Sequence, residues 1–151
     1  MKDNITLSID TLGSETKIKD ICHGLSLSSE RNINIKYLIY GDENEIKKNI
    51  SNFKSLMKVS EVIHCKDFVK MTDVPSDVIK NKKQSSMSLA IESVSKKDSD
   101  AVLSFGNTGA LMTFSLLMIK TITDIKRPSI ASIWPNLSGD SIILDLGANT
   151  K

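Results

Sequence analysis

Two glycines and two capping residues sit at one chemically useful place, the run Ala101-Val-Leu-Ser-Phe-Gly-Asn-Thr-Gly-Ala-Leu-Met112. An apolar strand pattern ends at Phe105. Gly106 and Gly109 follow, and an apolar helical run extends from Ala110 to Ile119. A strand, a glycine-bearing turn and a helix start together let backbone N–H groups point at an anion. Asn107 and Thr108 can cap that helix or hydrogen-bond a ligand. The turn is not a Walker loop, because no Gly-Lys-Ser/Thr follows, and its glycine spacing is not that of the dinucleotide fingerprint.

Three other polar turns also fall at strand ends: Asp10-Thr-Leu-Gly13, Gly41-Asp42 and Asp145-Leu-Gly-Ala-Asn149. In open α/β sheets the ligand crevice lies beyond the carboxyl ends of the strands. Asp, Asn and Gly are equally what any tight turn selects, so a structural reading stands beside the functional one. Lys80, Lys82 and Lys83 with Ser85 and Ser86 make a basic, hydroxyl-rich patch that could hold a phosphate; a solvated helix face is the plainer reading. Arg127 before Pro128 has the same ambiguity. His23 lies in an apolar helical pattern and reads as a core or edge side chain. No Ser or Cys pairs with a His at a spacing that supports nucleophilic catalysis.

These turns need a scaffold, and the sequence describes one. Ile5–Asp10, Ile33–Tyr40, Glu61–His64 and Ala101–Phe105 read as strands. Helices are expected from Glu15 onward with Ile18, Ile21, Cys22 and Leu25 inward, from Glu43 to Phe53, and from Thr108 to about Thr121. Asp73 and Pro75 read as a capping carboxylate and first-turn proline opening another helix. That pattern runs to Lys97 with a break at the polar stretch Lys80–Ser86. Ile130–Ile133 and Ser141–Leu146 are two further strands around Asn136–Asp140. Alternating strands and helices with short links predict a three-layer α/β/α domain with a mostly parallel sheet. The chain stops just after a strand, where such a sheet normally adds a helix; the fold reads as cut off, with an open edge after Leu146.

Composition narrows the function classes. The chain has 151 residues, 40% hydrophobic and 25% charged, as in a folded globular domain. A net charge of +2 and 5% aromatics argue against nucleic acid as a partner. Cys22 and Cys65 are far apart and, with His23 and His64, form no metal-spaced cluster; two buried reduced thiols of a cytosolic protein are expected, with no metal and no cofactor. Met1 runs straight into a strand without a signal-peptide pattern. The longest apolar run falls well short of the ~20 residues of a spanning helix, although Ala110–Ile119 could serve a dimer interface or a membrane-facing patch.

With these residues in view, the chain resembles the bacterial phosphate acyltransferases of phospholipid synthesis, the PlsX family. The resemblance is collinear from the first strand to the last residue. Its most specific pieces are Lys82-Lys-Gln-Ser-Ser-Met87 and Asp100-Ala-Val-Leu-Ser-Phe-Gly-Asn-Thr-Gly-Ala-Leu-Met112. Ile125-Lys-Arg-Pro128, Leu144-Asp-Leu-Gly-Ala-Asn149, Ser60-Glu-Val-Ile63 and Leu38-Ile-Tyr-Gly-Asp42 support it. The resemblance implies a fold like that of the phosphate acetyltransferases and isocitrate-dehydrogenase-like enzymes. It implies transfer of a fatty acyl group from acyl carrier protein to inorganic phosphate, and a cytoplasmic homodimer in peripheral contact with the membrane. The acyl phosphate would pass to a membrane glycerol-3-phosphate acyltransferase. Carried over residue by residue, Lys83, Asn107 and Thr108 would be catalytic. Asp10, Gly13, Lys82, Ser85, Ser86, Gly106, Gly109, Asp145 and Asn149 would bind substrate or phosphate.

Two departures shape the expectation. The family's Gly-Gly-Asp turn after the first strand is here Gly13-Ser-Glu15, which restricts close approach of a ligand. The resemblance also covers only the N-terminal half of the family. The site then needs a complementary C-terminal chain, or the chain is a non-catalytic remnant that binds acyl carrier protein or a partner. An unrelated α/β phosphate-binding module is the third reading.

Overall fold

Burial deepens toward the carboxyl ends of the first two strands, Ile5–Asp10 and Ile35–Gly41. The computed structural model describes residues 4–32, 34–125, 128–137 and 139–144. Its elements are β1 (Ile5–Asp10), α1 (Ile18–Arg31), β2 (Ile35–Gly41), α2 (Glu43–Ile50), α3 (Lys54–Val59) and β3 (Ser60–His64). They continue with α4 (Pro75–Asn81), α5 (Ser86–Ser95), β4 (Ala101–Ser104), α6 (Thr108–Met118), β5 (Ala131–Asn136) and β6 (Gly139–Leu144). The chain forms two compact units, residues 1–120 and 121–151.

In the first unit four parallel strands run in the order β3-β2-β1-β4. Register places Ile9 between Ile39 and Leu103, so these three share a face. Ile9, Tyr37 and Ile39 pack on Ile18, Ile21, Cys22 and Leu25 of α1, Ile46 and Ile50 of α2 and Leu56 of α3. On the opposite face Tyr40 and Val102 pack with Ala90 of α5. A second cluster there joins Met87 and Ile91 of α5 to Val78 of α4 and Ala110 and Phe114 of α6. Helices therefore cover both faces, which is the expected α/β/α layering. Each fully buried Ile, Leu or Phe contributes about 2 kcal/mol, so both helical layers are firmly seated. Ser8, Ser93 and Ser99 add a buried hydroxyl cluster between β1 and α5, with Ser99 Oγ 2.8 Å from Ser8 and 2.7 Å from Ser93.

Several expectations are corrected. The helix after β2 stops at Ile50, and a separate α3 follows a turn at Ser51-Asn52; only Leu56 of α3 is buried, too little periodicity to read in advance. Asp73 does not cap α4. Val74 is the N-cap, without a side-chain bond, and Pro75 fills the first turn as expected. The Asp73 carboxylate instead accepts from Lys70 N at 2.9 Å. The break between α4 and α5 falls in the polar stretch, where Ser85 caps α5. In the second unit β5 and β6 form an antiparallel hairpin, paired from Ala131↔Leu144 to Asn136↔Gly139. The pairing runs into the segment expected to be a longer turn.

Candidate active site

The strand order creates a switch point. The chain leaves β1 toward β2 and β3, then returns to place β4 on the other side of β1. Connections diverging from adjacent strands open a crevice at their carboxyl ends, the usual ligand position in such sheets. Asp10 ends β1 and Ser104 ends β4, opposite one another in register. The Gly106–Gly109 turn follows immediately.

Asp10 is the hub of this crevice. It is 1% exposed. Ser86 Oγ, at the first turn of α5, donates to Asp10 Oδ1 at 2.5 Å. Ser104 Oγ donates to Oδ2 at 2.7 Å, and Gly106 N donates to Ser104 Oγ at 3.1 Å. One carboxylate thus ties β1, α5 and the β4 turn together. Burial raises its pKa above the ordinary carboxyl value, and the Ser86, Ser104 and Leu12 hydrogen bonds partly oppose that shift. Thr11 is also buried, with Oγ1 donating to Tyr40 O at 2.9 Å.

Asn107 is a second anchor. It is the N-cap of α6, and its Oδ1 accepts from Ala110 N at 3.0 Å. Its Nδ2 faces three backbone carbonyls, Lys70 O at 3.3 Å, Met71 O at 3.1 Å and Asp73 O at 3.0 Å. The loop before α4 is thereby strapped to the start of α6. Gly13 has φ +75° and lies directly against Val69 of the same loop. The turns after β1 and β4 and the segment 66–74 form one interlocked set.

The predicted site residues divide by what their side chains are already doing. Ser85 and Ser86 are fully buried, and their hydroxyls cap α5 and hold Asp10. Asn107 spends its amide on the strap. Thr108 is exposed and Gly106 and Gly109 half-buried at the start of α6, where the first N–H groups have no acceptor within the helix. Lys82 and Lys83 diverge. Lys82 lines a cavity of about 300 Å³ with Asp73, Asp77 and Asn81. Lys83 lines a different one with Ser88, Glu92 and Phe114. Arg127, Asp145, Asn149 and the edge after Leu146 lie outside the described residues. Among the described residues no group of His, Cys, Asp and Glu is arranged to hold a metal. Cys22 and Cys65 are buried thiols with pKa values pushed up to about 11, chiefly by burial. His23 is exposed and stacks on Phe53 with ring centroids 6.0 Å apart.

Sequence reasoning missed Ser104 and the strap on 70–73. In the sequence pattern Ser104 is one more residue of the Ala101–Phe105 strand. The carbonyls under Asn107 lie 34 to 37 positions away in the chain, and no local spacing encodes that. The strap makes a testable distinction. Asn107→Ser keeps a cap and is expected to cost about 1 kcal/mol; Asn107→Asp also keeps the cap but turns a carboxylate toward three carbonyls, costing about 2 kcal/mol. Urea unfolding of the two variants checks this, and near wild-type stability in Asn107→Asp would reduce the residue to a simple cap.

Comparison with known proteins agrees with this architecture. Residues 5–151 match the family described as fatty acid synthesis protein. A phosphate acyltransferase of Pelagibacter ubique is 41% identical over 153 residues, covering 100% of this chain and 45% of that relative. Phosphate acyltransferases of Rhodopseudomonas palustris and Parvibaculum lavamentivorans are 39% and 36% identical, each over 98% of this chain and 42% and 41% of their own lengths. The chain thus spans under half the length of the curated relatives it matches. A family match over nearly every residue, carried on a parallel sheet with its polar turns at the switch point, makes this chain a member of the fatty acid synthesis protein family.

Proposed function

We propose that this chain forms the part of a phosphate acyltransferase site that lies at the β1/β4 switch point. The observation that carries the reading is the polar constellation of Asp10, Ser86, Ser104 and the Gly106–Gly109 turn at that point, within a chain matched end to end by phosphate acyltransferases. The substrates would be an acyl thioester on acyl carrier protein and inorganic phosphate. A phosphate oxygen attacks the thioester carbonyl, the C–S bond breaks, and the carrier thiolate leaves to take up a proton. No enzyme nucleophile is required. The protein must position an anion and stabilise the developing oxyanion.

The start of α6 suits that task. Thr108 supplies a hydroxyl, and the first N–H groups of the helix supply donors and the positive end of its dipole. Gly106 and Gly109 let a ligand approach the backbone. Lys82 and Lys83 would contribute charge from either side, Lys83 as catalytic group and Lys82 on the phosphate. Ser85, Ser86, Asp10, Gly13 and Asn107 would hold the walls. Asp145 and Asn149 would border the crevice, and a cytoplasmic, peripherally membrane-associated homodimer would complete the setting.

A second reading has its own support. The hydroxyls of Ser85 and Ser86 and the amide of Asn107 are consumed by internal hydrogen bonds, as befits a scaffold that binds a partner without turning over. Acyl-phosphate formation from acyl-acyl carrier protein and phosphate separates the two. The expected result is little turnover by the 151-residue chain alone and clear turnover when the unmatched portion of a relative is added. Under those conditions Thr108→Ala is expected to lower the rate about tenfold. No turnover in either case would establish the scaffold reading.

A further inference from the structure

The turn after β4 carries a row of N–H donors, and several are already engaged. Gly106 N donates to Ser104 Oγ at 3.1 Å, and Ala110 N donates to Asn107 Oδ1 at 3.0 Å. Leu111 N donates to Asn107 O at 3.0 Å. Thr108 N and Gly109 N stand at the first two positions of α6, where no acceptor exists within the helix. Gly106 therefore gives a ligand space and not a donor. A Cβ on it would meet Met87 Cε at 3.2 Å, Ser104 Oγ at 3.5 Å and Asp10 Oδ2 at 3.7 Å, so its bare backbone lies directly on the buried hub.

Ser104 decides this division of donors. A serine hydroxyl has one proton and two lone pairs. Here the proton goes to Asp10 Oδ2 at 2.7 Å, which leaves a lone pair facing Gly106 N. Asp10 is itself held, because Ser86 Oγ donates to its other oxygen, Oδ1. Direction thus passes from the start of α5 to Asp10, from Asp10 to the Ser104 hydroxyl, and from that hydroxyl to the Gly106 peptide that leads into α6. The pairing Asp10↔Ser104 keeps the path short. Every group on it lies within residues 1–120.

We propose that Ser104 is a positioning residue for the bound anion: it turns the Gly106 N–H out of the site and aims Thr108 N and Gly109 N at a phosphate oxygen, a role that rests on the reading of this turn as the phosphate-holding part of the site. Ser104 itself touches no substrate. It acts through the Gly106 peptide. Donors held in place lose less conformational freedom on binding than donors on a loose turn, and the anion is bound more tightly for it.

The experiment titrates the 151-residue chain with inorganic phosphate and follows its backbone amides by NMR. Phosphate is expected to shift the Thr108 and Gly109 amide signals and to leave that of Gly106 nearly unmoved. This pattern tests the donor assignment in the wild type, without any variant. In Ser104→Ala the Gly106 amide should exchange with solvent at least about tenfold faster, and phosphate should bind at least about tenfold more weakly. Ser104→Thr keeps the hydroxyl and should restore both. Ser99→Ala removes a buried hydroxyl from the separate cluster with Ser8 and Ser93, so it loses comparable hydrogen bonds without touching the turn and should change neither. Three results would overturn the positioning role and leave the reading of the site standing. They are phosphate affinity unchanged in Ser104→Ala, affinity not restored in Ser104→Thr, and Gly106 as the most strongly shifted amide. Absence of phosphate binding at the turn in the wild-type chain would instead overturn the reading of the site, and the role of Ser104 with it.

Discussion

Replacing Gly13 by alanine is expected to lower unfolding free energy by about 4 kcal/mol. Gly13 has φ +75°, a conformation that costs an L-residue about 1 kcal/mol. Space is the larger problem. A Cβ there would lie 1.8 Å from Val69 O and 2.9 Å from Val69 C. Both are backbone atoms, so no rotamer change relieves the overlap and the segment around Val69 must move. Val69 is 1% exposed and packs with Val78, Met87 and Phe114. The carbonyls just after it are held by Asn107. Displacement at Gly13 therefore reaches the core under α5 and the strap at the start of α6. Gly24→Ala provides the control. It lies within α1 with no atom within 4 Å of the new Cβ, and alanine there should stabilise by about 0.5–1 kcal/mol. Urea midpoints of the two variants moving in opposite directions would confirm the argument; equal small shifts would refute it.

The same turn shows what the sequence could and could not reveal. Relative to the family's Gly-Gly-Asp pattern, the chain keeps glycine at the one position whose φ demands it. It places serine next, where Ser14 Oγ bonds locally to Thr16, donating to its carbonyl at 3.0 Å and accepting from its N–H at 3.1 Å. The departure is thus absorbed by a local turn, which spacing alone did not indicate. The four parallel strands were legible because Ile5–Asp10, Ile35–Gly41 and their neighbours combine β-branched residues with clear stops. So was the break between α4 and α5, where the polar run Lys80–Ser86 cannot continue a buried stripe. The expected first helix began a turn too early, because residues 12–16 form bends before Ile18. The polar hub was only half legible. An aspartate at a strand end suggests a crevice, but Ser86 and Ser104 reach Asp10 from 76 and 94 positions away. Patterns of period two or 3.6 carry no information about such pairings. The divergence of Lys82 and Lys83 has a simpler cause. Lys82 is the C-cap of α4 and Lys83 lies in the turn beyond it, so helix periodicity does not put them on one face.

Removing the Asp10 carboxylate is expected to cost about 3 kcal/mol in Asp10→Ala, because the Ser86 and Ser104 hydroxyls lose their acceptor in a buried setting and a small cavity is left. Asp10→Asn should cost only about 1 kcal/mol. One amide oxygen still accepts from a serine, and the amide nitrogen can donate to the other once its hydroxyl rotates. The pH dependence then isolates the charge. Burial raises the native pKa of Asp10 above its unfolded value, so the native state holds this proton after the unfolded chain has released it. Its contribution to stability is fully present below the ordinary carboxyl value. It declines as pH rises from there to the raised native value, and is flat above. Wild type should therefore gain stability relative to Asp10→Asn as pH falls through that window, and the difference should be constant at neutral pH. A difference that instead grows as pH rises toward the ordinary carboxyl value, and is flat above it, would mean that the serines and the start of α5 outweigh burial, and that the carboxylate is held ionised. Because Asp10→Asn preserves the tie between β1, α5 and the β4 turn, the proposed acyl-phosphate turnover, measured with the unmatched portion of a relative added, would report on charge and not on folding. Turnover that survives in Asp10→Asn but not in Asp10→Ala would make Asp10 a positioning residue beneath the crevice. Loss in both, at retained stability in Asp10→Asn, would place its charge or its proton in the chemistry.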